Sequence, residues 1–331
     1  MADIKLGIDI GGTKIACSAI TFHDDNTVTY TTPRKVSTPT TANAFIDSLA
    51  ASLTLVKKDL GVDAWPAIGI STAGVVDSVK GQILGATGNL KAIDRTPFPI
   101  GQLLADELGI DVSQIHVEND ANAACYGEVS VGAAVGYKNV VMVTLGTGVG
   151  GGIVVDGHLI RGAKFSAAEV GHMRISLTND RACTCGRLGC WEAYASGTGL
   201  ARTGRREIRE LPHSVIAQDI LQGKSVEELT THDIIAAQIR GNTLAVQLMD
   251  KWHLHIATGL GNLMNVLDPD IVVIGGGMAQ FVELPKLQDF LNERIMEPMT
   301  TTPIVFAQLG NDAGMIGAAA MAKNSSPALS L

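Results

Sequence analysis

Apolar residues run in short blocks punctuated by glycine. Leu6 to Ile10, a turn at Gly11 and Gly12, and Ile15 to Ile20 predict a β-hairpin, which Val28 to Tyr30 extends as a third strand. From Ala42 to Leu60 the spacing becomes helical, with Phe45, Ile46, Leu49, Leu53 and Val56 on one face and Gly61 as the stop. Ala67 to Ser71 reads as a buried strand. Ile115 to Val117 reads as a strand tip leading into Asn119-Asp120-Ala121-Asn122, and Ala123 to Val129 has helix-forming composition. A domain hinge is expected there. Val140 to Leu145, a glycine turn from Gly146 to Gly152, and Gly152 to Val155 repeat the strand-turn-strand logic of the opening, as expected of two related domains. Leu229 to Leu263 is predicted mostly helical, with its N-terminal cap near Thr231 or His232. Ile271 to Ile274 is a buried strand running into Gly275-Gly276-Gly277, and a last helix spans Gly314 to Ala322. The tail after Lys323, rich in Ser, Pro and Ala, is expected to fray.

Composition narrows the class. A chain of 331 residues with 46% hydrophobic content can bury two cores without disulfides. A formal net charge of -8 argues against nucleic acid as a partner. The longest apolar stretch, Val140 to Val155, holds five glycines and stops at Asp156, too short and broken for a membrane helix. No export signal is expected, because the apolar run from Ile4 to Ile10 is broken by Lys5 and Asp9 and lacks a basic region followed by a small-residue cleavage site. Five cysteines, three of them within Cys183 to Cys190, suit metal binding in a reducing compartment rather than a disulfide framework. A soluble, cytoplasmic protein is the expectation.

Two glycine motifs mislead. Gly146-Thr-Gly148-Val-Gly-Gly151 satisfies a dinucleotide fingerprint, but a strand rather than a helix follows, so no helix N-terminus would hold a pyrophosphate. Gly223-Lys224-Ser225 mimics the end of a P-loop, yet position 218 is Gln and Val215 to Leu221 looks helical. What remains are hairpin turns whose bare amides can approach phosphate oxygens. Asp9-Ile-Gly11-Gly12-Thr13-Lys14 adds a carboxylate able to reach a metal-bound water. A lone glycine pair is more simply a tight turn; two such hairpins together with Gly275 to Gly277 favour phosphate binding.

Asp9 to Lys14, Gly146 to Gly152, and Asp268-Pro-Asp-Ile-Val-Val-Ile-Gly-Gly-Gly277 resemble the phosphate and adenosine motifs of the ROK family (repressors, open reading frames, kinases), over almost the whole chain. The resemblance implies an α/β fold of the two-lobed sugar-kinase, actin and heat-shock-chaperone type (ribonuclease H-like), with ATP in an interlobe cleft. The expected small lobe is residues 1–120 plus 313–331. The larger lobe, 121–312, would carry the zinc and adenosine sites and helices for a homodimer or homotetramer, with Thr243 to Leu267 as interface or, equally, as core. By the same resemblance Asp9, Gly11, Gly12, Thr13, Lys14, Gly146, Thr147 and Gly148 serve the phosphates, and Gly275 and Gly276 line the nucleoside.

Phosphoryl transfer to an alcohol needs a carboxylate near the hydroxyl and Mg²⁺ to offset charge. A bare Asn-Asp pair reads first as a helix N-cap. Asn119-Asp120-Ala-Asn122 nevertheless resembles the family's sugar-site motif, which implies Asp120 as general base and Asn119 beside it on the sugar. Glu169, His172 and Glu192 would hold further hydroxyls, with Asn89 and the Gly74 backbone adding contacts. Two departures appear: Ala73-Gly74 stands where many relatives have Pro-Gly, and Asn89-Leu-Lys-Ala-Ile93 where they have Asn-Leu-Pro-Gly-Trp.

Cys183-Thr-Cys185-Gly-Arg-Leu-Gly-Cys190 with His172 upstream offers three thiolates and an imidazole, a closed tetrahedral set suited to structural Zn²⁺. Removing the metal is expected to weaken sugar binding through His172 and leave the ATP turns alone. Cys17 and Cys125 read as core residues.

The resulting expectation is an ATP-dependent hexose kinase, glucose to glucose 6-phosphate, in carbohydrate metabolism and glycolysis. N-acetylmannosamine, N-acetylglucosamine, allose or fructose stand behind glucose, and polyphosphate behind ATP. A sugar-responsive regulator of the same family would need a DNA-binding domain ahead of the first hairpin. A catalytically silent sugar binder would be expected to lose the base or a phosphate turn.

Overall fold

The computed structural model describes residues 3–85, 90–93, 96–178, 181–211 and 213–323. Its element order is that of a mixed α/β chain. The opening hairpin is β1 (Asp3–Ile10) and β2 (Lys14–Phe22), paired antiparallel down to the Ile10–Ile15 rung. β2 also pairs with β3 (Val28–Tyr30) and β4 (Arg34–Ser37). Helix α1 (Ala42–Leu60) has the predicted bounds and stops at Gly61 with φ 66°. It is followed by β5 (Ile68–Thr72), a small hairpin of β6 (Val75–Asp77) and β7 (Gln82–Gly85), helix α2 (Ile100–Leu108), β8 (Ile115–Asn119) and α3 (Asp120–Val131). The first sheet has the order β3-β2-β1-β5-β8, with β1, β5 and β8 parallel.

The second sheet contains β9 (Val140–Leu145), β10 (Val149–Val155), β11 (His158–Leu159), β12 (Ile271–Gly275) and β13 (Ile304–Phe306), in the order β11-β10-β9-β12-β13. Between β11 and β12 run α4 (Glu192–Ala195), α5 (Gly197–Glu210), α6 (Val215–Leu221), α7 (Thr231–Ile239) and α8 (Thr243–Leu267). Helices α9 (Leu284–Asn292) and α10 (Ala313–Lys323) complete the order. The stretch predicted mostly helical consists of α7 and most of α8, separated at Gly241, whose φ is 83°. The cap of α7 is Thr230, next to the residues expected near it, and Thr230 and Asp233 satisfy each other's backbone N–H groups in a capping box.

Two compact units result. One comprises residues 1–140, 152–168 and 307–331, the other 141–151 and 169–306. The boundary expected at 120/121 differs from this division, since 121–140, 152–168 and 307–312 fall in the first unit. The reason is α10. Its Ile316, Ala319 and Ala320 pack with Ile20 and Phe22 of β2, and Tyr126 and Val131 of α3 join that cluster. A side chain at Gly317 would collide with the Ala123 carbonyl, so α3 and α10 lie backbone to backbone. The remaining core of this unit joins β1, β5 and β8 to α1 and α2 through Leu6, Ile8, Ile70, Val117, Phe45, Leu49 and Leu104.

In the other unit α8 is buried along Leu248, Trp252, Ile256 and Leu260, so its apolar face is core. Trp252 Nε1 donates to the Ala195 carbonyl and Trp191 Nε1 to the His255 carbonyl, each at 2.7 Å, pinning α4 and the residue before it to α8. Among the described residues no helix is long and apolar enough to cross a membrane. The tail expected to fray lies outside the described residues.

Candidate active site

Parallel register brings the first unit's predicted residues to one edge. Asp9 pairs with Ser71, Ser71 with Glu118, and Thr72 with Asn119, so the carboxyl ends of β1, β5 and β8 lie side by side, the edge where open parallel sheets bind ligands. From β1 comes the turn of Gly11, Gly12 and Thr13. Gly11 N–H donates to the Lys14 carbonyl at 2.9 Å, and Thr38 clamps the turn from outside, its Oγ1 donating to the Gly11 carbonyl at 2.7 Å. Gly12, Thr13 and Lys14 are exposed.

Asp9, on β1 just before this turn, is half-buried. Ser71 Oγ donates to its Oδ1 at 2.8 Å. Burial pushes the Asp9 carboxyl up, the Ser71 bond opposes this, and the Asp312 carboxylate adds to the rise. Gly314, in the first turn of α10, is placed where a Cβ would sit 2.7 Å from Ser71 Oγ and 3.3 Å from Asp9 Oδ1. Tyr30 OH donates to Asp312 Oδ2 at 3.0 Å.

Asp120 is the first residue of α3 and is exposed. Asn119 caps that helix, its Oδ1 accepting the Ala121 and Asn122 N–H groups at 3.0 and 3.1 Å. Its Nδ2 donates to the Gly74 carbonyl at 3.0 Å, at a residue with φ 103°. The helix-cap reading of Asn119 therefore holds, and the same amide fixes Gly74 beside Asp120. Asn89 lies outside the described residues.

In the other unit, Gly146 N–H donates to the Gly148 carbonyl at 3.0 Å, closing the turn between β9 and β10. The start of α5 supports it: Gly197 N–H donates to the Gly146 carbonyl and Thr198 Oγ1 to the Thr147 carbonyl, both at 2.8 Å. Gly276, with φ 85°, lies so close to Leu145 that a Cβ would overlap the Leu145 carbonyl, and Met278 N–H donates to that carbonyl at 2.9 Å. The Gly146 turn and the Gly275–Gly277 turn therefore meet at the end of β9.

His172 Nδ1 and the sulfurs of Cys183, Cys185 and Cys190 all lie within 4.8 Å of one another. Cys183 Sγ is 3.5 Å from His172 Nδ1, and Cys185 Sγ is 3.7 Å from Cys190 Sγ. Donors at zinc bonding lengths around a tetrahedral centre lie roughly 3.4–3.8 Å apart, whereas disulfide sulfurs are about 2.05 Å apart, so the spacing fits a metal. Burial and the neighbouring sulfurs push the Cys190 thiol up to about 12, a penalty that a divalent cation removes. The second ring nitrogen, His172 Nε2, lies 3.9 Å from Glu169 Oε2.

Glu192 serves both features. Its Oε1 accepts Thr184 Oγ1 at 2.8 Å and lies 3.4 Å from Cys183 Sγ, while its Oε2 accepts the Val149 N–H at 3.2 Å. The cysteine loop is thus tied to the Gly146 turn. This differs from the expectation that the metal loop and the ATP turns are independent. Thr38, Ser71, Thr198 and Asp312 carry no motif and were not singled out from sequence; each is recruited by a partner distant along the chain.

The ROK family profile matches residues 5–325. The chain belongs to the ROK family. Among ROK relatives, a glucokinase of Streptomyces coelicolor is 32% identical over 98% of this chain and 99% of its own. An N-acetyl-D-glucosamine kinase of Salmonella gallinarum is 30% identical over 95% of this chain and 97% of its own. The crystal structure of a ROK glucokinase from Streptomyces griseus, in complex with glucose and AMPPNP, superposes with a TM-score of 0.73 at 32% identity, covering 97% of this chain and 100% of that one.

Proposed function

We propose that this ROK protein is an ATP-dependent hexose kinase, with glucose as its first acceptor and glucose 6-phosphate as its product. The observation that carries this reading is the edge formed by β1, β5 and β8. It gathers the Gly11–Lys14 turn, the half-buried Asp9, Gly74 and the exposed Asp120 within one unit. Backbone donors for phosphate and a carboxylate for a hydroxyl are what phosphoryl transfer to a sugar requires.

Asp120 accepts the hydroxyl proton as the sugar oxygen bonds to the γ-phosphorus. The bond from that phosphorus to the β–γ bridging oxygen breaks, ADP leaves, and Asp120 returns its proton to solvent. The Gly11–Lys14 and Gly146–Gly148 turns hold phosphates, and Gly275 and Gly276 line the nucleoside. Glu169, His172, Glu192 and the Gly74 backbone orient the sugar. Asn119, engaged at both ends of its amide, contributes by holding Gly74 and the start of α3.

Mg²⁺ bound with the nucleotide offsets phosphate charge. Asp9 fits its outer shell, because a cation relieves the like-charge cost imposed by Asp312. Zn²⁺ would be held by His172, Cys183, Cys185 and Cys190 in a structural role. Five free cysteines suit a cytoplasmic location. A homodimer or homotetramer would use surface other than the buried face of α8, and light scattering reads that state.

The Salmonella relative favours N-acetylglucosamine as the second acceptor to test. ADP release by the purified protein with ATP and a panel of glucose, N-acetylglucosamine, N-acetylmannosamine, allose and fructose tests the proposal, with polyphosphate replacing ATP in a parallel arm. Fastest turnover per KM on glucose is expected. Absence of phosphorylation of every sugar by either donor overturns it.

A further inference from the structure

We infer that Glu118 is a positioning residue for Asp120, holding the start of α3 through Asn122 while Arg161 holds Glu118. The inference deepens the proposed kinase reading and rests on it for the identity of the base.

Glu118 is the penultimate residue of β8, and its side chain is 1% exposed. A carboxylate so deeply buried is costly unless both oxygens are satisfied. Here both are. Oε1 accepts the Asn119 N–H at 3.1 Å and Asn122 Nδ2 at 3.2 Å. Oε2 accepts Arg161 Nε at 2.7 Å, and His116 Nε2 lies 3.6 Å away. Burial pushes the Glu118 carboxyl up, and the His116 ring and Arg161 guanidinium outweigh that, so it sits below the ordinary carboxylate range.

What distinguishes this pair from a plain buried ion pair is where the second oxygen goes. Residues 119 and 122 bracket Asp120, and each is fixed twice. Asn119 is held at its N–H by Glu118 and through its own cap bonds to Ala121 and Asn122. Asn122 is held at its N–H by Asn119 and at its amide by Glu118. The backbone on both sides of Asp120 is held by these bonds, and its own Oδ1 accepts the Ala121 N–H at 2.9 Å. Glu118 touches neither reacting atom; it sets the direction in which the Asp120 carboxylate leaves the helix. A displacement of about 1 Å in such a group costs up to about 100-fold in rate.

Glu118→Gln keeps the size of the side chain but turns one oxygen into a donor, so either Arg161 or the Asn119/Asn122 pair loses its acceptor. Asn122→Ala leaves the Glu118–Arg161 pair whole and cuts only its link to the helix. Each variant should lower kcat by about 10- to 100-fold, with the KM for ATP within about 3-fold of the parent. Each variant weakens the hold of Glu118 on the start of α3, so the double variant should lose less than the product of the two single losses. Amide exchange gives a readout that does not depend on activity. In both variants the Ala121 and Asn122 amides should exchange about 10-fold faster, with those of β1 and β2 unchanged. Parent-like kcat and parent-like exchange at Ala121 and Asn122 in Asn122→Ala would overturn the inference, even if Glu118→Gln proved unstable. If the parent protein phosphorylates no sugar, the kinase reading fails and the exchange result alone decides whether Glu118 orders this helix start.

Discussion

Glu192 accepts the backbone N–H of Val149 at 3.2 Å, which makes the carboxylate closing the cysteine-rich loop a support of the glycine turn as well. The same side chain holds Thr184 at 2.8 Å, inside the loop that the metal would organise. Chelation should release about one zinc per chain and, by loosening Glu192, weaken nucleotide binding by about 3- to 10-fold, the worth of one backbone hydrogen bond. Metal analysis and calorimetric titration with a non-hydrolysable ATP analogue check this. An unchanged nucleotide affinity after zinc loss would show that Glu192 keeps its place without the metal.

Asp120→Asn preserves size and removes the proton acceptor. Turnover should fall by about 10²–10⁴-fold, the usual worth of general-base catalysis, with sugar and nucleotide affinities close to those of the parent. Steady-state ADP release gives the first quantity and equilibrium titration the second. Near-parent turnover would remove Asp120 from its role.

Asp9 links stability to pH. A carboxyl raised in the folded chain binds its proton more tightly there than in the unfolded chain, so stability falls as pH rises from the ordinary Asp value, about 3.9, through the raised folded value. The deficit then persists at neutral pH. Asp9→Asn should therefore melt higher than the parent at pH 7, converge on it in acid, and lose kinase activity. Calorimetric scans from acid to neutral pH read the trend, and a pH-independent difference would contradict it.

Gly276→Ala should destabilise by about 1–3 kcal/mol, since it combines a left-handed backbone with overlap on Leu145. Gly277→Ala, where an added Cβ meets nothing within 4 Å, should melt like the parent. Thermal unfolding of the pair separates backbone demand from a general intolerance of the turn.

Features coded locally were legible in the sequence. α1 has its predicted bounds because its apolar spacing and Gly61 stop lie within one stretch, and β9 is equally self-contained. The cysteine cluster was readable because three of its four side chains sit within eight residues. The role proposed for Asp120 rests on the resemblance, since Asn119-Asp120 alone reads as a cap, and Asn119 does cap α3. What escaped depends on long-range pairing. Arg161 reaches Glu118 across 43 positions, and Ser71 reaches Asp9 across 62. No local pattern distinguishes these side chains from surface polar residues. The division near residue 120 differed because α3 packs on α10, which was expected in the first lobe, through Gly317 and the cluster that Ile316 shares with Tyr126 and Val131.

The packing of α10 has a bearing on biogenesis. Chains emerge N-terminus first at roughly 5–20 residues per second. Ile20 and Phe22 have their covering partners in Met315, Ile316, Ala319 and Ala320. The hairpin of β1 and β2 is thus synthesised well before α10, and the face carrying Ile20 and Phe22 waits for these partners until that helix has emerged.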